Sequence, residues 1–119
     1  MQKIMIVEDD EDILFIVALL LKKNRFSVIQ VSDCKKAVAV ALEWMPDLIL
    51  FDINLGLCDG RQLCLELKTV HHFNAPVLLF SANQELVSNL DLYKADAFIQ
   101  KPFEAKELVN TIRRHLGLV

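Results

Sequence analysis

The chain has 119 residues, 54% of them hydrophobic, and a formal net charge of −3. That length and apolar content suit one domain over 1–119, with a full core and no linker. So weak a charge excludes a nucleic-acid binder or a membrane-surface protein, and the nine-residue apolar run 13–21 is far short of the about 20 residues that a membrane span needs.

In chain order, a first strand is predicted at 3–7, running straight into Glu8-Asp9-Asp10. It starts so close to Met1 that no signal peptide fits before it. A helix follows at 11–23. Ile13, Ile16, Val17, Leu20 and Leu21 recur there at i, i+3, i+4, i+7 and i+8, which assigns them to the core face and turns Leu14, Phe15 and Ala18 elsewhere. The strand at 26–31 mixes Ser27 and Gln30 among apolar residues, as an edge strand does. Ser32-Asp33 can cap the helix at 33–44. A third strand at 47–51 runs into Asp52, and Asp59-Gly60 can cap a helix at 60–70. A fourth strand at 76–80 runs into Ser81, with a helix at 83–93. A fifth at 96–100 runs into Lys101-Pro102, with a last helix at 104–116. Pro46, Pro76 and Pro102 all stand outside helix interiors.

Five strands alternating with five helices predict an α/β, doubly wound parallel sheet. Strand order 2-1-3-4-5 is the simplest arrangement with right-handed crossovers. Cys34, Cys58 and Cys64 have no metal-type spacing and read as reduced and buried, which places the protein in the cytoplasm. His71, His72, His115, Asp91 and Asp96 read as solvated surface residues.

Parallel strands share one carboxyl edge. Glu8, Asp9, Asp52, Ser81 and Lys101 would therefore meet in one crevice, where open α/β sheets place their chemistry. Carboxylates so close repel, and a divalent cation resolves the conflict. All-oxygen ligands with waters retained describe Mg²⁺. Asn54 lies two residues past Asp52, where its backbone carbonyl can turn toward the ion. Without imidazole or thiolate at the strand ends, zinc is disfavoured. A carboxylate beside Mg²⁺ can attack phosphorus. The charge that develops on the equatorial oxygens would then fall on the ion, the Lys101 ammonium and the Ser81 hydroxyl or a backbone N–H.

Ile4-Met5-Ile6-Val7-Glu8-Asp9-Asp10, Pro46-Asp47-Leu48-Ile49-Leu50-Phe51-Asp52-Ile53-Asn54-Leu55, Asp59-Gly60, Phe80-Ser81-Ala82 and Lys101-Pro102-Phe103 occur in this order. With these separations the chain resembles, over essentially its whole length, the receiver domain of bacterial two-component response regulators, the CheY-like superfamily. The resemblance implies a flavodoxin-like fold and the following roles. Asp52 is the phosphoacceptor, Asp9 a direct Mg²⁺ ligand, and Glu8 a ligand through water. Asn54 completes the coordination through its carbonyl. Ser81 and Lys101 hold the phosphoryl group, and the Lys101-Pro102 bond is cis. Phe98 is the aromatic that turns inward on activation, while Asn54 and Asn83 tune hydrolysis. The domain catalyses only its own phosphorylation and dephosphorylation. Its partners are a sensor histidine kinase or histidine phosphotransfer protein and a downstream protein target, with no nucleic acid and no membrane. On helix 11–23, Leu14 and Phe15 are assigned to the docking surface for the phosphoryl donor, against the alternative of a self-association patch or extra core.

The chain also departs from the family pattern. Gly56-Leu57 stands where Pro-Gly is usual, so the loop after Asp52 is expected to turn differently. Lys94 replaces a glycine and needs a left-handed backbone or another helix end. The interval from Ser81 to Lys101 is short. Ala97 replaces an acid that often supports dimers. With Arg113-Arg114-His115-Leu116-Gly117 ending the last helix, no output domain is expected. Two other functions compete. A Mg²⁺-dependent phosphatase with an aspartyl nucleophile would want an acid at the Asn54 position, and a pseudo-receiver would not need the intact acidic set. The scarce glycines leave no phosphate cradle after the first strand.

Overall fold

The computed structural model describes residues 1–83 and 90–118. Its elements in order are β1 (Lys3–Val7), α1 (Glu11–Lys23), β2 (Ser27–Val31), α2 (Ala37–Trp44), β3 (Leu48–Asp52), β4 (Asn54–Leu55), β5 (Cys58–Asp59), α3 (Gly60–Thr69), β6 (Val77–Ser81), β7 (Ala97–Gln100) and α4 (Ala105–His115). Five strands make one parallel sheet in the order β2-β1-β3-β6-β7. This is the flavodoxin-like order that the sequence implies. β4 and β5 form a separate antiparallel hairpin directly after β3.

Four α-helices stand among the described residues where five were expected. The helix expected at 83–93 falls mostly on residues 84–89, outside the described residues, and its last part is a 3₁₀ turn, Leu90–Tyr93. Lys94 takes the left-handed backbone that its position requires, with φ +63°.

Apart from Lys3 at the start of β1, the three central strands are buried because helices cover both faces, which is why they read as continuous apolar runs. Alternate residues feed two cores. Ile4, Ile6, Leu48, Leu50, Leu78 and Phe80 pack toward α1 and α4. Met5, Val7, Ile49, Phe51, Val77 and Leu79 pack toward α2 and α3. The two cores hold the sheet rigid up to its carboxyl edge.

The phase of α1 differs from the sequence reading. Leu14, Val17, Ala18 and Leu21 form the buried face, while Ile16 is 64% exposed and Phe15 61%. Ile13 and Leu20 are only partly buried against the core. An uninterrupted apolar run carries no periodicity of its own, so any face fits it. Packing on the sheet decides. The Asp10 carboxylate accepts hydrogen bonds from the backbone N–H of Asp12 (3.0 Å) and Ile13 (3.2 Å), and so fixes where the first turn starts. Asp33 and Asp59 cap their turns in the same way, as their positions in sequence suggest.

The reduced state expected of all three cysteines is corrected, and Asp96, exposed as expected, gains partners. Cys34 and Cys58 form a disulfide across a sequence separation of 24, and only Cys64 is a free buried thiol. Chain spacing hides this pairing, because the sheet topology brings the turn after β2 and the hairpin after β3 to the same edge. Asp96 is not merely solvated. Its carboxylate accepts from the Val77 backbone N–H (2.8 Å) and from Lys68 Nζ (3.0 Å), pinning the start of β6 to α3.

Candidate functional site

Each residue of the site is placed by a strand end. Glu8 follows β1, and its backbone N–H donates to the Val31 carbonyl of β2 (3.1 Å). Asp52 is the last residue of β3 and stands beside Phe80 in the sheet register. Ser81 ends β6. The Lys101 N–H donates to the Ser81 carbonyl (2.9 Å), which fixes the base of the lysine stem at the end of β7. The Lys101-Pro102 bond is cis, as the resemblance implies.

From these anchors the side chains converge. One ligand oxygen each from Glu8, Asp9 and Asp52 lie within 4.8 Å of one another. Lys101 Nζ stands 3.2 Å from Glu8 Oε2 and 3.2 Å from Asp52 Oδ2, bridging the two. The same ammonium lies 4.6 Å from the centre of the Phe80 ring, an aromatic face that attracts cations. Glu8 is 1% exposed and Asp52 4%. Asp52 Oδ1 accepts the Asn54 N–H (3.2 Å), and Ser81 Oγ accepts the Asn83 N–H (3.1 Å). Asp10, Ile13, Asn54, Gly56, Ala82 and Asn83 complete the lining of a cleft of about 380 Å³.

The charges in this cleft do not balance. Among the described residues that line it, one ammonium stands against four acids, Glu8, Asp9, Asp52 and, at the α1 cap, Asp10. Burial, and then the neighbouring Asp52 carboxylate, push the Glu8 carboxyl up to about 8, against the opposing pull of Lys101. The donor set is all oxygen, so the residues fit a hard divalent cation such as Mg²⁺. Glu8, Asp9 and Asp52 would hold it, and Asn54 lines the same cleft.

The sequence-assigned residues fall into three groups. Glu8, Asp9, Asp52, Asn54, Ser81, Asn83 and Lys101 share the cleft. Phe98 lies apart, partly buried against the core on the α2 and α3 side. Of the two docking residues, Phe15 is exposed but Leu14 is buried at 6% exposure, so Leu14 belongs to the core.

Gly60 escaped the sequence reading as a site residue. A Cβ there would lie 2.1 Å from the Asp52 carbonyl oxygen, so α3 starts directly against the backbone of the acid. The only hint in sequence was Asp59-Gly60 itself, read as a cap.

The family model for the response regulator receiver domain matches residues 4–113. A two-component response regulator from Clostridium difficile superposes with a TM-score of 0.89 at 22% identity, covering 98% of this chain and 97% of that one. The Francisella response regulator 1452 receiver domain gives 0.89 at 23%, covering 98% of both chains. NtrX from Brucella abortus is 30% identical with a TM-score of 0.87, over 97% of this chain and 27% of that one. Among the described residues, no helix is long and apolar enough to cross a membrane. With its sheet order, its acidic cleft and a family match over nearly all its length, this chain belongs to the response regulator receiver domain family.

Proposed function

We propose that the chain is a phosphorylation-dependent switch in which Asp52 accepts a phosphoryl group from a phosphohistidine donor, with Mg²⁺ as cofactor. One observation carries this reading: a buried aspartate at a strand end shares a cleft with two further acids and a lysine 3.2 Å away. The Asp52 carboxylate attacks phosphorus, the P–N bond of the donor breaks, and its electron pair returns to the imidazole. Mg²⁺, when bound, offsets the charge of the carboxylates and of the phosphoryl oxygens. Lys101 is already beside Asp52 and can swing from Glu8 to a phosphoryl oxygen. Ser81, one strand away, offers its hydroxyl to another. Asn54 and Asn83 flank the path of a water that would later hydrolyse the acyl phosphate. The domain thus acts on itself rather than turning over a separate substrate.

Intact-mass measurement with acetyl phosphate and Mg²⁺ tests the reading. The wild-type protein should gain the mass of one phosphoryl group, and Asp52→Asn should gain none. Phosphate appearing on the variant, or steady turnover of phosphomonoesters by the wild type, would replace the switch with another chemistry.

The donor is a sensor histidine kinase or a histidine phosphotransfer protein, and the output is a downstream protein target. Phe15 and Ile16 on α1 stand exposed, Ile16 lines a surface groove with Lys101 and Phe103, and the two suit an apolar donor surface. Phe15→Glu should slow transfer from the cognate donor about tenfold, a loss of ~1.4 kcal/mol at a docking contact. Transfer from acetyl phosphate should be unchanged, because that donor needs no docking surface. Equal slowing with both donors would remove Phe15 from the interface.

A further inference from the structure

The Cys34–Cys58 bond closes a ring of contacts around the acidic cleft. Cys34 opens the turn after β2, three residues beyond Val31, whose carbonyl holds the Glu8 backbone. Cys58 stands on β5, opposite Leu55 in the hairpin that carries Asn54 and Gly56. That hairpin lies over the acids: a Cβ on Gly56 would be 3.5 Å from Asp9 Oδ2. At its base the Gly60 N–H donates to the Ile53 carbonyl (2.8 Å), next to Asp52. The disulfide therefore joins the backbone that positions Glu8 to the hairpin that covers Asp9. Among the described residues, no other covalent link joins the two sides except the chain itself.

We infer that Cys34 and Cys58 are a reversible thiol–disulfide pair that sets how firmly the β4–β5 hairpin is held over the Mg²⁺ and phosphoryl site. The inference rests on the receiver reading and adds a second input to the same cleft. Cys58 is half-buried at the rim, where small reagents reach it, and Cys34 is more deeply placed. Cys64 is the remaining cysteine. It is fully enclosed, and burial pushes its thiol up to about 12, which keeps it out of the exchange. The oxidant is a small-molecule disulfide such as oxidised glutathione. The Cys58 thiol loses its proton to solvent, and its thiolate attacks one reagent sulfur, expelling a thiolate. The Cys34 thiolate then attacks Cys58 of the mixed disulfide and expels the second thiolate. Two protons leave the protein, and the two electrons end on the two reagent thiols. Excess thiol reverses both steps.

The test poises the whole protein in glutathione buffers of varied ratio, follows loss of two hydrogens by intact mass, and measures Mg²⁺ binding by calorimetry in each state. Oxidised protein should bind Mg²⁺ about tenfold more tightly than reduced protein, the low end of what losing an outer support costs a metal site. Cys58→Ser and, independently, Cys34→Ser should match reduced wild type and ignore the buffer. Cys64→Ala should keep the full response. Equal Mg²⁺ affinity in both states, or no disulfide at any glutathione ratio, overturns the inference. Failure of the receiver reading looks different. Asp52 would then stay unphosphorylated in both states, even with the redox response of Mg²⁺ binding intact.

Discussion

Gly60→Ala should destabilise the protein by about 3 kcal/mol or more, the upper part of the range for overpacking a well-filled interior. The added methyl would lie 2.1 Å from the Asp52 carbonyl oxygen and 2.9 Å from its carbonyl carbon. Both are backbone atoms at the end of a central strand, so no side chain can swing aside. Either α3 retreats and loses the 2.8 Å bond from the Gly60 N–H to Ile53, or Asp52 moves. Urea denaturation measures the first effect, and the rate of phosphoryl gain from acetyl phosphate reads the second. Wild-type stability together with a wild-type phosphorylation rate would contradict the close packing of α3 on Asp52.

Lys101→Ala should be comparably severe in metal-free protein and much milder in saturating Mg²⁺. The ammonium bridges Glu8 and Asp52, both nearly inaccessible to water. Removing one partner of a buried ion pair costs about 3–5 kcal/mol because the remaining charge is left unpaired. Protonation of Glu8 moderates that cost, and this sets the pH dependence. The folded-state pKa of Glu8 lies above its ordinary value of 4.5, raised to about 8 by burial and by Asp52. The folded state therefore binds the proton more tightly than the unfolded chain does. The stability that this protonation contributes is complete below 4.5 and is lost as pH rises through about 8. Lys101 opposes the shift, so its removal should steepen the loss on the alkaline side. At 100 times its dissociation constant, Mg²⁺ should restore about 2.7 kcal/mol by mass action. Chemical denaturation at pH 6 and pH 9, with and without Mg²⁺, measures all of this. A variant equally stable at both pH values and indifferent to Mg²⁺ would show that the carboxylates do not interact as placed.

The part of the site carried by strand ends was legible from the sequence. Apolar runs stopping at Glu8, Asp52, Ser81 and Lys101 placed the crevice, because parallel strands must deliver their carboxyl ends to one edge, and right-handed crossovers supplied the strand order. What escaped depended on contacts between elements. The face of α1 could not be read from nine apolar residues in succession. It was set by how α1 packs on the sheet, with Leu14 inward and Ile16 outward. The Cys34–Cys58 pairing depends on two loops meeting over β1, which no chain spacing reports. Asp96 looked like a loop acid until Val77 and Lys68 closed on it. Gly60 passed for punctuation, though the lack of a side chain is its contribution.

The odd–even division of β1, β3 and β6 between two cores has a consequence for how such a chain can change. Neighbours along a strand never compete for the same volume, so each core can vary its residues almost independently of the other. A single inserted or deleted residue has no such freedom. It exchanges the two linings at once and rotates the last side chain of the strand to the opposite face, so in β3 the register of the packing and the aim of the terminal acid can only be inherited together.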